Sequence, residues 1–470
     1  MPDHRRLVVV ANRLPVHRVK QRGRQTWETS PGGLVSAMSP FLEEYGGAWV
    51  GWAGIAGRAP KAFEHNGMQI RPVPISAEQL ESFYEGFSNS TLWPLYHDAV
   101  RPPQYHRRWW WPYAEVNRVF ASATAETLQS GDVVWVHDYQ LQLVPGMLRD
   151  MVPDVRTGFF LHIPFPPEEL FAQIPWRRQI LEGMLGADVV GFHTMAGVRN
   201  FIAACKQYTD ATGSGKALEF RGRKVRVDAF PISIDVERME SLAENPDVRH
   251  RAARLRDDLS SSRTGIRKIF LGVDRLDYTK GIDRRLRAFE ELLRRGRYTV
   301  DDCVFVQIAV PSREKVTEYE DLRSTIEQYS GRINGEYGRP GRTAVHYMRT
   351  SVPPEELVAY YLASDALVVT PFRDGMNLVA KEYVAANIEN AGSLILSEFA
   401  GAADEFGGTP SAPMALLVNP HDIDGLANSM ETALAMDDAE ATARMERMRR
   451  AVQKHDVYRW AGSFLGALRQ

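Results

Sequence analysis

The sequence predicts an α/β protein of two Rossmann-like domains with parallel sheets, and three observations carry that prediction. The chain has 470 residues, more than one hydrophobic core usually supports. Short β-rich runs alternate with helical patterns over its whole length, as doubly wound sheets require, and they are too many for one sheet. Polar residues collect at the ends of these runs, where open α/β sheets take their ligands.

Taken in order, residues 7–11 read as a buried strand and residues 12–31 as a long polar loop, after which Gly32 and Gly33 open a helical pattern through Leu34, Met38 and Leu42. Strands are expected at 48–52 and 69–75, then a helix over about 77–87. Trp109, Trp110 and Trp111 cannot all face one core, and at least two belong inside. Residues 133–136, 158–163 and 188–192 are short buried strands, the first ending at His137 and Asp138, the last at His193. Further strands follow at 225–234, 268–273, 303–310, 345–347, 366–369, 394–396 and 416–418. The change of domain falls near 231–235, giving domains 1–232 and 233–455, with a last helix at about 456–470 free to pack back on the first.

Composition narrows the function classes. Hydrophobic content of 44%, charged content of 25% and a net charge of −2 are those of an ordinary globular protein, with no argument for a nucleic-acid or membrane partner. The run DRRLRAFEELLRRGR, residues 283–297, interleaves acids at helical spacing and reads as a solvated face. Cys205 and Cys303 read as buried free thiols; no Cys or His spacing suits a metal, so neither metal nor cofactor is expected. No apolar stretch approaches the ~20 residues of a membrane span, and a cytoplasmic protein is expected.

The stretch 370–406 carries the sharpest chemistry. A strand end leads through Arg373, Asp374 and Gly375 into a helix from about Asn377. Asn377 is a good N-cap, leaving the N–H groups of Leu378 and Val379 to meet a phosphate. Asp374 and Glu382 bracket that helix start. Alone, the stretch fits a plain helix cap with two solvated carboxylates equally well. Elsewhere Asn12 and Arg13, His137 and Asp138, His162, Arg275 with Lys280, and Arg313 stand at strand ends, which points to a cleft between two sheets. Arg275 and Lys280, with Gly281 beside them, suit a diphosphate. Arg13 and Arg313, with Tyr84 and Trp93, make a second anion site. Two anion sites around a carboxylate suggest group transfer from a diphosphate donor to a phosphorylated acceptor. GSGK at 213–216 lacks the rest of a phosphate-binding loop, no GxGxxG follows the first strand, and Glu168 and Glu169 diverge on a helix.

In order along the chain stand VVVANR, PGGL, YxxFSNxxLWP, HDYQL, GFFLHIPFP, GFHT, RLDYTKG, RINGxYG, RDGMNLVAKEYVAA and LSEFAGAADE. Over nearly its whole length the sequence therefore resembles the trehalose-6-phosphate synthase family, retaining glycosyltransferases of family 20 with two facing Rossmann-like domains (GT-B) and an active site in the cleft. The resemblance implies metal-independent transfer of glucose from UDP- or GDP-glucose to glucose 6-phosphate, giving α,α-trehalose 6-phosphate. It implies that Arg13, Arg313, Tyr84 and Trp93 hold the acceptor phosphate and Asp138 the acceptor hydroxyls. Gly33, Arg275, Lys280 and the N–H groups of Leu378 and Val379 would hold the donor diphosphate. His162, Asp374, Gly375, Met376 and Asn377 would orient the transferred glucose, and Glu382 would take the ribose hydroxyls.

A homologous pseudo-glycosyltransferase, coupling a nucleotide-activated cyclitol to an aminocyclitol phosphate, is the alternative; Arg275, Lys280, Asp374 and Glu382 together argue against a catalytically dead homologue. The sequence departs from the pattern at Val352, where similar UDP-glucose users carry phenylalanine near the base, and Arg349 close by could meet a purine carbonyl. Residues 16–31 are expected to form a mobile lid that orders over the acceptor. A homo-oligomer is compatible with all of this.

Overall fold

The computed structural model describes residues 6–21, 24–30, 34–35, 38, 42, 46–260, 267–312 and 317–470. The chain separates into two compact units, Met1–Ile232 with Val457–Gln470, and Ser233–Asp456. Each is a doubly wound α/β sheet. No helix among the described residues is long and apolar enough to cross a membrane.

The strands of the first unit are β1 (Leu7–Arg13), β2 (Val16–Gln21), β3 (Arg24–Thr29), β4 (Gly47–Trp52), β5 (Phe63–His65), β6 (Met68–Val73), β7 (Val133–His137), β8 (Arg156–Phe160), β9 (Val189–Phe192), β10 (Thr212–Ser214), β11 (Ala217–Phe220) and β12 (Arg223–Ala229). Their main sheet runs β10-β11-β12-β9-β8-β7-β1-β4-β6-β5. From β12 to β6 the neighbours are parallel, while β5, β10 and β11 join antiparallel at the edges. Val8, Val9 and Val10 are fully buried, as in a sheet covered on both faces. From β1 the chain winds outward through β4 to β6, then returns beside β1 as β7 and winds the other way. The carboxyl ends of β1 and β7 thus form a topological switch point.

Several local readings need correction. The polar stretch after β1 is no loop, because β2 and β3 pair antiparallel from Val16↔Thr29 to Gln21↔Arg24. Its polar faces mask the two-residue period by which a strand is normally recognised. The helix expected to stop near residue 87 runs on. Ser76 caps Ala77–Gln79, a widened segment spans Leu80–Leu92, and Trp93–Tyr96 completes it. In the widened part the Ser90 hydroxyl reaches the Glu85 carbonyl, and the Trp93 N–H the Ser88 carbonyl, five residues back. Trp109 and Trp110 are buried and Trp111 is 63% exposed, so two of the three tryptophans do face inward. GSGK lies at the β10–β11 turn, where Lys216 pairs with Asp228 at 2.5 Å. The last helix, Val457–Arg469, stacks Phe464 on Trp135 at 4.3 Å between ring centres.

In the second unit the strands are β13 (Lys268–Arg275), β14 (Cys303–Val310), β15 (Val345–Met348), β16 (Ala366–Val369), β17 (Ser393–Ser397), the small hairpin β18 (Gly408–Thr409) and β19 (Ala412–Pro413), and β20 (Leu416–Val418). The sheet order is β15-β14-β13-β16-β17-β20, parallel throughout. Here the switch point lies between β13 and β16. The basic run 283–297 falls mostly on the helix Ile282–Arg294, and one of its arginines lies off the solvated face, for Arg285 is 0% exposed. It falls on the same stripe as Ile282, Leu286 and Phe289, one helical turn apart, and that stripe faces inward.

Candidate active site

At the β13–β16 switch point, backbone and side chains weave one surface. Arg275 ends β13 and is exposed; a short turn, Tyr278–Lys280, follows. Gly281 then takes φ +60°, and a Cβ there would come within 2.2 Å of the Thr370 carbonyl oxygen, so glycine is needed for this approach. The Thr370 hydroxyl donates to the Gly281 carbonyl (3.1 Å) and the Phe372 N–H to that of Thr279 (2.9 Å). Beneath them the Arg285 guanidinium donates to Asp274 (2.6 Å), to the Thr370 hydroxyl (2.9 Å) and to the Lys280 carbonyl (2.9 Å). Sequence reasoning missed this buried support; the signal was its place on the apolar stripe.

Lys280 Nζ meets Asp374 Oδ2 at 2.6 Å, and Asn377 Nδ2 donates to the same oxygen at 3.1 Å. The Asp374 loop is bound to residues 399–402 through Asp374 N–H to the Phe399 carbonyl and Ala402 N–H to that of Met376. Gly375 and Met376 are buried within it. Asn377 holds φ +77° and caps Leu378–Ala386, its Oδ1 accepting from the Ala380 N–H at 3.1 Å. The N–H groups of Leu378 and Val379 have no acceptor within a helix that starts there, so this end favours an anion. Further along, the Tyr361 hydroxyl donates to Glu382 at 2.9 Å, and burial pushes the Glu382 carboxyl up to about 7, against the opposing pull of that hydrogen bond. Next to it Lys381 is fully buried and pairs with Glu405 at 2.5 Å.

At the β1–β7 switch point of the first unit, Arg13 projects from the end of β1. Its guanidinium lies 4.3 Å from the Trp52 ring centre and 6.0 Å from that of Tyr84. Trp93 lies nine residues beyond Tyr84 on the widened helix. Hydrogen bonds that reach five residues back turn the chain less per residue, so this spacing does not send Trp93 to the face opposite Tyr84, as an ordinary helix would. Trp93 itself is buried, its ring against Tyr139 (5.6 Å) and His97 (4.2 Å). Asp138 takes φ +76°, a strained value for a non-glycine residue, and its Oδ1 accepts from the His162 N–H at 3.2 Å. Each switch point therefore turns on a non-glycine residue of positive φ, Asp138 in one unit and Asn377 in the other.

Of the residues singled out from sequence, Arg275, Lys280, Asp374, Gly375, Met376, Asn377, Leu378 and Val379 converge in the second unit, with Glu382 one turn further along the same helix. Arg13 and Tyr84 meet in the first unit, as do Asp138 and His162. Gly33 and Arg313 lie outside the described residues. Among the described residues no group of three His, Cys, Asp or Glu side chains is arranged to hold a metal.

Comparison with known proteins adds to this geometry. The chain is 51% identical over 471 residues to a trehalose-6-phosphate synthase of Mycolicibacterium smegmatis, covering 98% of this chain and 92% of the relative. The structure superposes with TM-score 0.89 and 35% identity on an α,α-trehalose-phosphate synthase (UDP-forming) from Burkholderia xenovorans in complex with glucose-6-phosphate, covering 99% of this chain and 100% of that one. A structure from E. coli, described as trehalose-6-phosphate bound with UDP-2-fluoro glucose, gives TM-score 0.89 at 35% identity and 99% coverage of both chains. The model of glycosyltransferase family 20 matches residues 5–470, and the chain belongs to that family.

Proposed function

We propose that this enzyme transfers glucose from a nucleoside-diphosphate glucose to glucose 6-phosphate with retention, giving α,α-trehalose 6-phosphate. The observation that carries the reading is the convergence of Lys280 and Asn377 on one carboxylate oxygen of Asp374 at the start of the Leu378–Ala386 helix. A cation, a sugar-sized acceptor group and an anion-binding helix end are what a nucleotide sugar requires. The named activities of the relatives support the same reaction and give no support to cyclitol coupling.

In this reading the second unit takes the donor and the first the acceptor. Arg275, Lys280 and the N–H groups of Leu378 and Val379 stabilise the negative charge that grows on the leaving diphosphate, the electrostatic effect that usually dominates. Asp374 and His162, with the backbone of Gly375 to Asn377, orient the glucosyl group, and Glu382 accepts from the ribose hydroxyls. Arg13, Tyr84 and Trp93 hold the phosphate of the acceptor, and Asp138 its hydroxyls. The glycosidic C1–O bond to the diphosphate breaks as the acceptor hydroxyl bonds to C1 on the same face, and its proton passes to a leaving phosphate oxygen. No protein nucleophile is needed. Incubation with glucose 6-phosphate and a panel of nucleotide sugars, followed by identification of the product, tests the proposal; absence of a phosphorylated α,α-linked disaccharide refutes it.

A further inference from the structure

Three histidines from adjacent strand ends, His137, His162 and His193, form a chain whose hydrogen bonds fix where each proton sits. His193 Nε2 lies 3.1 Å from the His162 carbonyl oxygen, and its Nδ1 3.5 Å from the Ile232 N–H. A carbonyl can only accept and an amide N–H can only donate. His193 is therefore neutral with its proton on Nε2.

His137 Nδ1 and His162 Nε2 are 3.0 Å apart, so one of them donates to the other. His137 is completely buried, and its Nε2 has no partner among the described residues. A proton on that Nε2 would leave an orphaned N–H in the interior, whereas a proton on Nδ1 leaves only an unused lone pair. Orphaned buried N–H groups are the rarer and costlier case. The bond therefore runs from His137 Nδ1–H to His162 Nε2. Burial holds the His137 ring down to about 3 and, with the neighbouring His137 and His193, keeps His162 well below its ordinary value, so both rings are neutral. A neutral His162 whose Nε2 accepts must carry its own proton on Nδ1. That nitrogen makes no hydrogen bond to a described residue and is not sealed from solvent.

We propose that His137 is a positioning residue that locks His162 in its Nδ1–H tautomer, so that His162 offers a hydrogen-bond donor to an oxygen of the transferred sugar. The proposal rests on the reading of His162 as a contact to the glucosyl group. It predicts a preference for sugars with a lone pair at that position over sugars carrying an ammonium group there.

Long-range 1H–15N spectra of the full chain labelled with 15N-histidine report the tautomers directly, and His162→Gln assigns the signal. His162 should show a protonated Nδ1 and a bare Nε2; a proton on Nε2, or an averaged mixture, overturns the lock. His137→Asn keeps an N–H near the place of Nδ1, while His137→Leu removes it. The Asn variant should retain the His162 tautomer. The Leu variant should lose it, with kcat falling roughly 10-fold or more and the acceptor KM within about twofold of the parent. Equal loss in both variants, or a change confined to the acceptor KM, overturns the functional half. An Nδ1–H signal in a protein that transfers no glucose refutes the proposed activity and leaves the lock standing.

Discussion

Lys280 Nζ and Asp374 Oδ2 lie 2.6 Å apart across the β13–β16 switch point, with the two side chains only 11% and 14% exposed. In the proposed function the pair joins the cation that meets the diphosphate to the carboxylate that meets the sugar. Neither group has to be recruited from solvent when a donor arrives, so its charge is already in place for the transition state.

Replacing Lys280 with Met should lower kcat/KM for the donor by roughly 10²–10³-fold, the usual cost of losing one preorganised charge partner. Steady-state product assays check this. The same pairing leaves Asp374 engaged by Lys280 and Asn377, so mass spectrometry of the enzyme during turnover should find no glucosyl adduct on Asp374. A trapped adduct would replace same-face transfer by a double displacement.

Arg285→Met should destabilise the second unit by roughly 3–5 kcal/mol, because it leaves the Asp274 carboxylate buried and unpaired. Denaturant unfolding measures it. The donor KM should rise while the acceptor KM stays put, since Arg285 holds the Lys280 carbonyl and the Thr370 hydroxyl. An unchanged unfolding curve contradicts the account.

Glu382 sets a pH dependence. A carboxyl raised by burial to about 7 binds more protons folded than unfolded, so stability falls as pH climbs from the ordinary carboxyl range to about 7 and is flat above it. In the proposed function the ribose hydroxyls bind the Glu382 carboxylate, so the donor KM should fall as pH rises through the same value. Tyr361→Phe removes the hydrogen bond that favours the charged form and should move that midpoint upward. A midpoint that stays where it was, or drops, argues against Glu382 as the titrating group.

Gly54→Ala tests the acceptor side. Gly54 has φ +83°, and a Cβ there would come within 2.0 Å of Arg13 Nη1. The guanidinium must leave its place over Trp52, so the KM for glucose 6-phosphate should rise roughly 10-fold with the donor KM unaffected. Saturation curves with each substrate decide between this and a general loss of fold.

The donor base is open to one comparison. Val352 is half-buried and Arg349 exposed. Turnover with UDP-glucose and GDP-glucose should differ, and Arg349→Ala should change the ratio. Equal rates with both donors would remove base selectivity from these residues.

The sheets and the meeting of Lys280 with Asp374 were legible because short buried strands and their polar ends leave local marks: apolar runs, then Arg275, Lys280 or Asp374. Arg285 escaped because charge patterning was read along the chain, where acids interleave, instead of around the helix, where it shares a stripe with Ile282 and Phe289. Tyr361 escaped for a different reason, since nothing local to residues 354–363 announces Glu382, twenty-one positions later, as its partner. The widened Leu80–Leu92 segment has no compositional mark at all. Its consequence, a changed angle between Tyr84 and Trp93, depends on hydrogen-bond spacing that apolar periodicity does not encode.

The last helix bears on how the molecule is made. Phe464 and Trp460 fill a seat formed by Trp135 and Phe160, but the whole second unit is translated between the seat and its occupants. On the ribosome the second unit can close while the first still lacks part of its core. Assembly thus finishes with the portion that began to emerge first, and a chain stalled before residue 457 would expose an aromatic groove to chaperones and proteases.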